Sequence, residues 1–118
     1  HYLGSQSVAV SIFTSDRRSN TTRILESLKL DRYVPVVVGG ECVQQPKPHP
    51  EGFLLACSLV HSAPGRSVYV GDTIQDLEMA RAGGAGAALG VATGLDSPED
   101  LRSHADIVCD RLDELVGL

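Results

Sequence analysis

No apolar run in the sequence approaches the 18 residues that a bilayer-spanning helix needs, so no membrane span is expected. The start lacks the basic-then-apolar layout of a secretory leader. Basic residues are outnumbered, ten against fifteen acidic ones for a net charge of -5, and they do not cluster. That argues against nucleic acid or an anionic membrane as partner, because both are gripped by basic patches. Cysteine is sparse: Cys42, Cys57 and Cys109 lie far apart and form no CxxC. An odd number of thiols without a leader fits a reducing, cytoplasmic setting, with Cys57 and Cys109 as core thiols. There is no internal repeat, low-complexity segment or linker. A starting Met is also missing; the chain opens on His1 and reads as the continuation of a longer frame.

What is there suffices for one core. The 118 residues are 42% apolar, so the chain is expected to fold, as a single domain over residues 1–118. After a polar lead-in, His1 to Ser7, strands are expected at Val8–Phe13, Val36–Val38, Ser67–Gly71, Gly86–Val91 and Asp106–Cys109. Helices are expected from a Ser19–Asn20 cap to about Leu28, from Glu51 to Val60, from Thr73 to Gly83–Gly84, from Pro98 to Ser103 behind a Ser97 cap, and from Arg111 to Val116. Ile24, Leu25 and Leu28 should face inward on the first helix. Phe53, Leu54, Cys57 and Leu59 or Val60 should do so on the second. Strands and helices alternate, and several strands are continuously apolar, as in a sheet covered on both faces. This predicts an α/β layered domain with a mainly parallel sheet.

The most informative stretch runs from Ser67 to Ala80. A β-branched and aromatic run ends at Gly71, Asp72 follows, and from Thr73 the spacing turns helical. Ligands of open parallel sheets bind outside the carboxyl ends of the strands. Asp72 and Asp76 are therefore placed at one rim, where paired carboxylates can hold a hard cation such as Mg²⁺. The plainer alternative is an N-cap with an acidic first turn. Thr14 and Ser15 end the first strand, and their hydroxyls and amides suit phosphate oxygens as well as an ordinary turn. Lys47 stands in the stiff Pro46–Pro48 loop, as a restrained charge for phosphate or a solvated surface lysine. Hydroxyl, ammonium and two carboxylates together are what phosphoryl transfer needs.

Other signals are weaker. His61 and His104 read as surface or helix-end residues, and His49, beside Lys47, as a surface residue that could also line the pocket. Asp16 and Arg17 read as capping groups that could also touch substrate. Gly84-Ala85-Gly86 enters a strand after a helix, the reverse of a dinucleotide fingerprint. A phospho-receiver domain is excluded because its acidic cluster follows the first strand.

Three segments together resemble the haloacid dehalogenase superfamily of phosphohydrolases, nearest the phosphoglycolate phosphatase and β-phosphoglucomutase types. Val10 to Ser15 resembles its second motif, Lys47-Pro48-His49-Pro50 its third, and Val70 to Asp76 its acidic fourth. Ala80 to Gly83 matches the usual continuation. The resemblance implies a three-layer α/β/α, Rossmann-like domain. It implies that Thr14 and Ser15 bind a phosphoryl group, that Lys47 steadies it as a catalytic and phosphate-binding residue, and that Asp72 and Asp76 hold Mg²⁺. The substrate would be a small phosphorylated metabolite, hydrolysed through an aspartyl-phosphate.

The first motif, with the nucleophilic aspartate and the acid/base two residues on, is absent, as is a cap. The chain therefore reads as the C-terminal part of a core domain, inactive alone. In the family that first strand lies between those ending at Thr14 and Gly71. Leaving about five buried groups unpaired at about 1–3 kcal/mol each would rival a whole domain's stability. Closure is expected by direct pairing of the two edges, by strand exchange in a homodimer or by a complementing N-terminal fragment. The alternative function is a non-catalytic binding or regulatory module on the same scaffold.

Overall fold

A computed structural model of the chain describes residues 8–92 and 96–109. The expected lead-in and the helix at Arg111 lie outside the described residues. Two compact units are present, His1–Pro46 with Glu51–Ser62, and Lys47–Pro50 with Ala63–Leu118.

In the first unit, β1 (Ser11–Phe13) and β2 (Val36–Val38) pair in parallel, Ser11 opposite Val36 and Phe13 opposite Val38. The Thr14 amide extends the ladder by donating to the Val38 carbonyl at 2.9 Å. Helices α1 (Arg18–Ser27) and α2 (Glu51–Leu59) accompany them. Phe13, Leu25, Val37, Val38, Phe53, Ala56 and Cys57 are buried. Helix α2 turns Gly52, Phe53, Ala56 and Cys57 inward, while Leu54 and Leu59 are exposed. The reason is Gly52, which packs directly under the Phe13 ring, where any Cβ would overlap it. On α1 only Leu25 of the expected trio is buried; Ile24 and Leu28 are exposed.

The start of α1 also differs from expectation. Neither Ser19 nor Asn20 caps it. The helix begins at Arg18 and its N-cap, Arg17, makes no side-chain cap bond. The first-turn acceptor is instead Glu41, whose two carboxylate oxygens lie 3.0 and 3.1 Å from the Arg18 amide. Strand β1 is shorter than expected, since Val8 is half exposed and outside it.

In the second unit, β3 (Val68–Gly71), β4 (Ala87–Val91) and β5 (Ile107–Cys109) form a parallel sheet in that order. Helix α3 (Ile74–Ala82) follows β3 and α4 (Pro98–Arg102) follows β4. Leu77, Ala80, Ala88 and Leu101 are fully buried, with Tyr69, Ile74, Ala85, Ala92, Ala105 and Val108 packed around them. Ser97 caps α4 as expected, accepting from the Asp100 amide at 3.2 Å. Among the described residues every strand pair is parallel and helices stand between successive strands, so the α/β class holds. Strand β3 is not covered on both faces, however. Tyr69 points inward, whereas Val68 and Val70 are exposed.

Asp106 ties β4 to Arg81. Its carboxylate accepts from the Ala88 amide at 2.8 Å and from Arg81 Nη2 at 2.9 Å. The Ala88 amide first, and Arg81 after it, hold its carboxyl below the usual aspartate value. A depressed folded value means that the contribution to stability is present above the unfolded value, about pH 4, and is lost as pH falls through the folded one. Asp106→Asn is expected to flatten the acid side of the urea-midpoint-against-pH curve and leave its neutral side nearly parallel to that of the parent.

Candidate functional site

Strand β3 ends at buried Gly71, and Asp72 stands at its carboxyl end. Thr73 then leaves the strand in an extended conformation and caps α3: its Oγ1 accepts from the Asp76 amide at 3.1 Å. Asp76 reaches back, its Oδ2 accepting from the amides of Thr73 at 3.3 Å and Asp72 at 3.2 Å. This is a capping box with an acid at the third helical position. It draws the Asp76 side chain under the strand end, against the Gly71 Cα. A methyl at residue 71 would overlap Asp76, whose Cγ and Oδ2 would lie only 2.9 Å away. Gly71→Ala is therefore expected to lower stability by about 1–3 kcal/mol through overpacking, read as a lower urea midpoint at unchanged m-value.

The other Asp76 oxygen faces a cation. Lys47 Nζ lies 2.6 Å from Asp76 Oδ1, with the two side chains 14% and 7% exposed. Tyr69 Oη donates to the same oxygen at 3.4 Å. Burial alone would push the Asp76 carboxyl up; the Lys47 hydrogen bond and charge, helped by Thr73 and Asp72, outweigh it and hold it below the ordinary value. Tyr69 moves the other way, raised by burial and then by the charge and hydrogen bond of Asp76. The Lys47–Pro48 peptide bond is cis.

The two acids expected to act alike have different surroundings. Asp76 is 5% exposed and accepts from four donors. Asp72 is half-buried, and among the described residues its carboxylate makes no hydrogen bond or ion pair. Nearby, Asp96 Oδ2 accepts from the Ile74 amide at 2.8 Å at the start of α3. No group of three or more His, Cys, Asp or Glu residues that could hold a metal ion occurs among the described residues. A single carboxylate such as Asp72 fits a hard cation that fills its remaining positions with water and phosphate oxygens.

Lys47, Asp72 and Asp76 are thus gathered in the second unit. Thr14 and Ser15 belong to the first. There the Thr14 hydroxyl accepts from the Asp16 amide at 3.1 Å, and Ser15 is exposed. Asp16, one residue before the N-cap of α1, accepts at Oδ1 from the Arg17 amide at 2.7 Å and from Asn20 Nδ2 at 3.0 Å, and does not cap the first turn. His49 and His61 are exposed. Two site residues escaped the sequence reading. Tyr69 was detectable from the two-residue period of β3, which points it inward with its hydroxyl needing a partner. Asp96 carries no local signal.

A family model described as haloacid dehalogenase-like hydrolase matches residues 1–89, most of the chain. The chain belongs to this family. This haloacid dehalogenase-like chain is 34% identical over 116 residues to the probable phosphatase IndB of Dickeya dadantii, covering 98% of the chain and 50% of that relative. It is 31% identical to the phosphoglycolate phosphatase of Salmonella choleraesuis, over 97% of the chain and 45% of the relative. Among solved structures it resembles one from Thermotoga maritima provisionally named a β-phosphoglucomutase, with TM-score 0.88 and 25% identity over 98% of the chain and 54% of that structure. The chain spans about half the length of the relatives it matches.

Proposed function

We propose that this chain is the phosphate-holding and cation-holding part of a Mg²⁺-dependent phosphatase for small phosphate monoesters. The observation carrying the reading is the Lys47 ammonium seated on Asp76, beside the open carboxylate of Asp72. In this reading Lys47 neutralises phosphoryl oxygens, and Thr14 and Ser15 are the phosphate-binding residues that the second-motif resemblance implies. Asp72 holds Mg²⁺, with Asp76 bearing on it. Bound Mg²⁺ supplies charge neutralisation at the phosphoryl group. The nucleophilic aspartate and its acid/base partner come from residues outside this chain. Family membership and two phosphatase relatives support it.

The partner is a strand. Among the described residues β1 has a strand neighbour only in β2, and β3 only in β4. A second copy exchanging a strand, or a segment preceding His1, would cover such edges. A dimer in light scattering favours the first; a monomer that gains activity with the upstream segment favours the second.

The test is phosphate release by a chain extended upstream to the length of its relatives. Lys47→Ala and Asp72→Asn are each expected to lower kcat/KM by about 10²–10³-fold, the scale of losing one preorganised electrostatic partner. Lys29→Ala, at an exposed position, should leave it unchanged. Full activity in Asp72→Asn would refute the reading, and binding of phosphorylated ligands without turnover would favour the non-catalytic module.

A further inference from the structure

We infer that Tyr69 is a positioning residue: its hydroxyl fixes the Asp76 carboxylate on which the Lys47 ammonium rests, and so sets where that ammonium points. The inference rests on the phosphatase reading only for the use to which Lys47 is put.

An ionised carboxylate only accepts, at about four lone-pair sites. Asp76 divides them evenly. Oδ2 serves the amides of Asp72 and Thr73 and thereby fixes the turn; Oδ1 serves Lys47 and Tyr69. A lysine ammonium is a point charge on a flexible stem with three equivalent donors. An ion pair with it sets a distance and leaves the direction open. A second donor on the same oxygen narrows that freedom, provided the donor is itself immobile. Tyr69 meets this condition, because its side chain is packed against the Leu77, Ala80, Ala88 and Leu101 core.

The chemistry of the inward face of β3 points the same way. Phenylalanine would fill the same space without a polar atom to satisfy. Burying a hydroxyl costs stability unless it is bonded, and no buried side-chain nitrogen or oxygen lacks a partner among the described residues. The Tyr69 hydroxyl has Asp76 as its acceptor, and the carboxylate cannot donate back.

The sequence makes the test clean, because it has only two lysines, Lys29 and Lys47. In nitrogen-15 spectra of the side-chain ammonium groups, exposed Lys29 is the internal reference. Tyr69→Phe is expected to speed hydrogen exchange at Lys47 by about three- to tenfold, the worth of one net hydrogen bond, with Lys29 unmoved. Asp76→Asn should have a larger effect, and adding Tyr69→Phe to it should change nothing further. An unchanged Lys47 signal in Tyr69→Phe, or an equal effect in both backgrounds, would overturn the inference.

Should Tyr69→Phe lose its amide fingerprint and so fail to fold, the parent chain decides. A protected Tyr69 hydroxyl proton with a cross-relaxation peak to the Lys47 ammonium supports the inference, and its absence overturns it. Orthophosphate with Mg²⁺, added to the parent chain, addresses the other reading separately. A shift at Lys47 upholds phosphate recognition. No shift counts against that recognition alone, while the Tyr69 variant still decides the positioning.

Discussion

Asp76→Ala is expected to lower the unfolding free energy by about 3 kcal/mol, the low end of the range for breaking a buried pair by removing one partner. The low end applies because the Lys47 side chain, at 14% exposure, keeps some access to water. Three losses combine. Lys47 loses the carboxylate 2.6 Å from its ammonium, the Tyr69 hydroxyl loses an acceptor, and the capping box at Thr73 opens. Asp76→Asn should cost less, because an amide oxygen still accepts from the turn amides. Lys47→Met together with Asp76→Ala should cost clearly less than the two single changes added, since both remove the same interaction.

The acid response follows from the depressed Asp76 carboxyl. The contribution is present above the unfolded value, about pH 4, and disappears as pH falls through the lower folded value. The stability gap between the parent and Asp76→Asn should therefore narrow on acidification. Urea titrations at several pH values measure both effects. A loss under about 0.5 kcal/mol in Asp76→Ala, the level of an ordinary surface change, would mean that the pair stabilises nothing.

The turn between β3 and α3 was legible because its signals are local. A β-branched run, Gly71, and Thr73 with an acid three residues on specify strand, close approach and capping box within one short stretch. The start of α1 was not, because Glu41, which serves the Arg18 amide, is 23 residues away. Helical periodicity at Ile24, Leu25 and Leu28 marks an apolar face without saying whether anything covers it; only Leu25 is buried. On α2 the inward direction was decided by Gly52 under Phe13, a packing fact that no periodicity carries. The family resemblance placed Lys47 and Asp76 in one chemical set. It did not show that one rests on the other, nor that Tyr69 shares the contact, because that depends on the depth to which the capping box draws Asp76 in.

The purified 118-residue chain is expected to release no phosphate from p-nitrophenyl phosphate, with or without Mg²⁺. Covalent phosphoryl transfer of the resembled kind needs an unencumbered carboxylate and an acid two residues further on. Asp16 is spent on the Arg17 amide and Asn20, and Arg18 stands where its acid partner should be. Asp76 carries four donors, which lowers its nucleophilicity as it lowers its basicity. Asp72 has the open carboxylate, but the residue two on is Ile74, and using it as nucleophile would remove it as a cation ligand. Electrostatic positioning by Lys47 stabilises a transition state only where an attacking atom is held in line. Without one, the rate should stay at the background of the ester. Mg²⁺ binding should also be weak, because this cation keeps most of its water and relies on phosphate oxygens beyond one or two carboxylates. Calorimetry of Mg²⁺ binding and a colorimetric release assay check both points. Release that disappears in Asp72→Asn would show that the chain carries its own nucleophile, and would place the reaction within these residues.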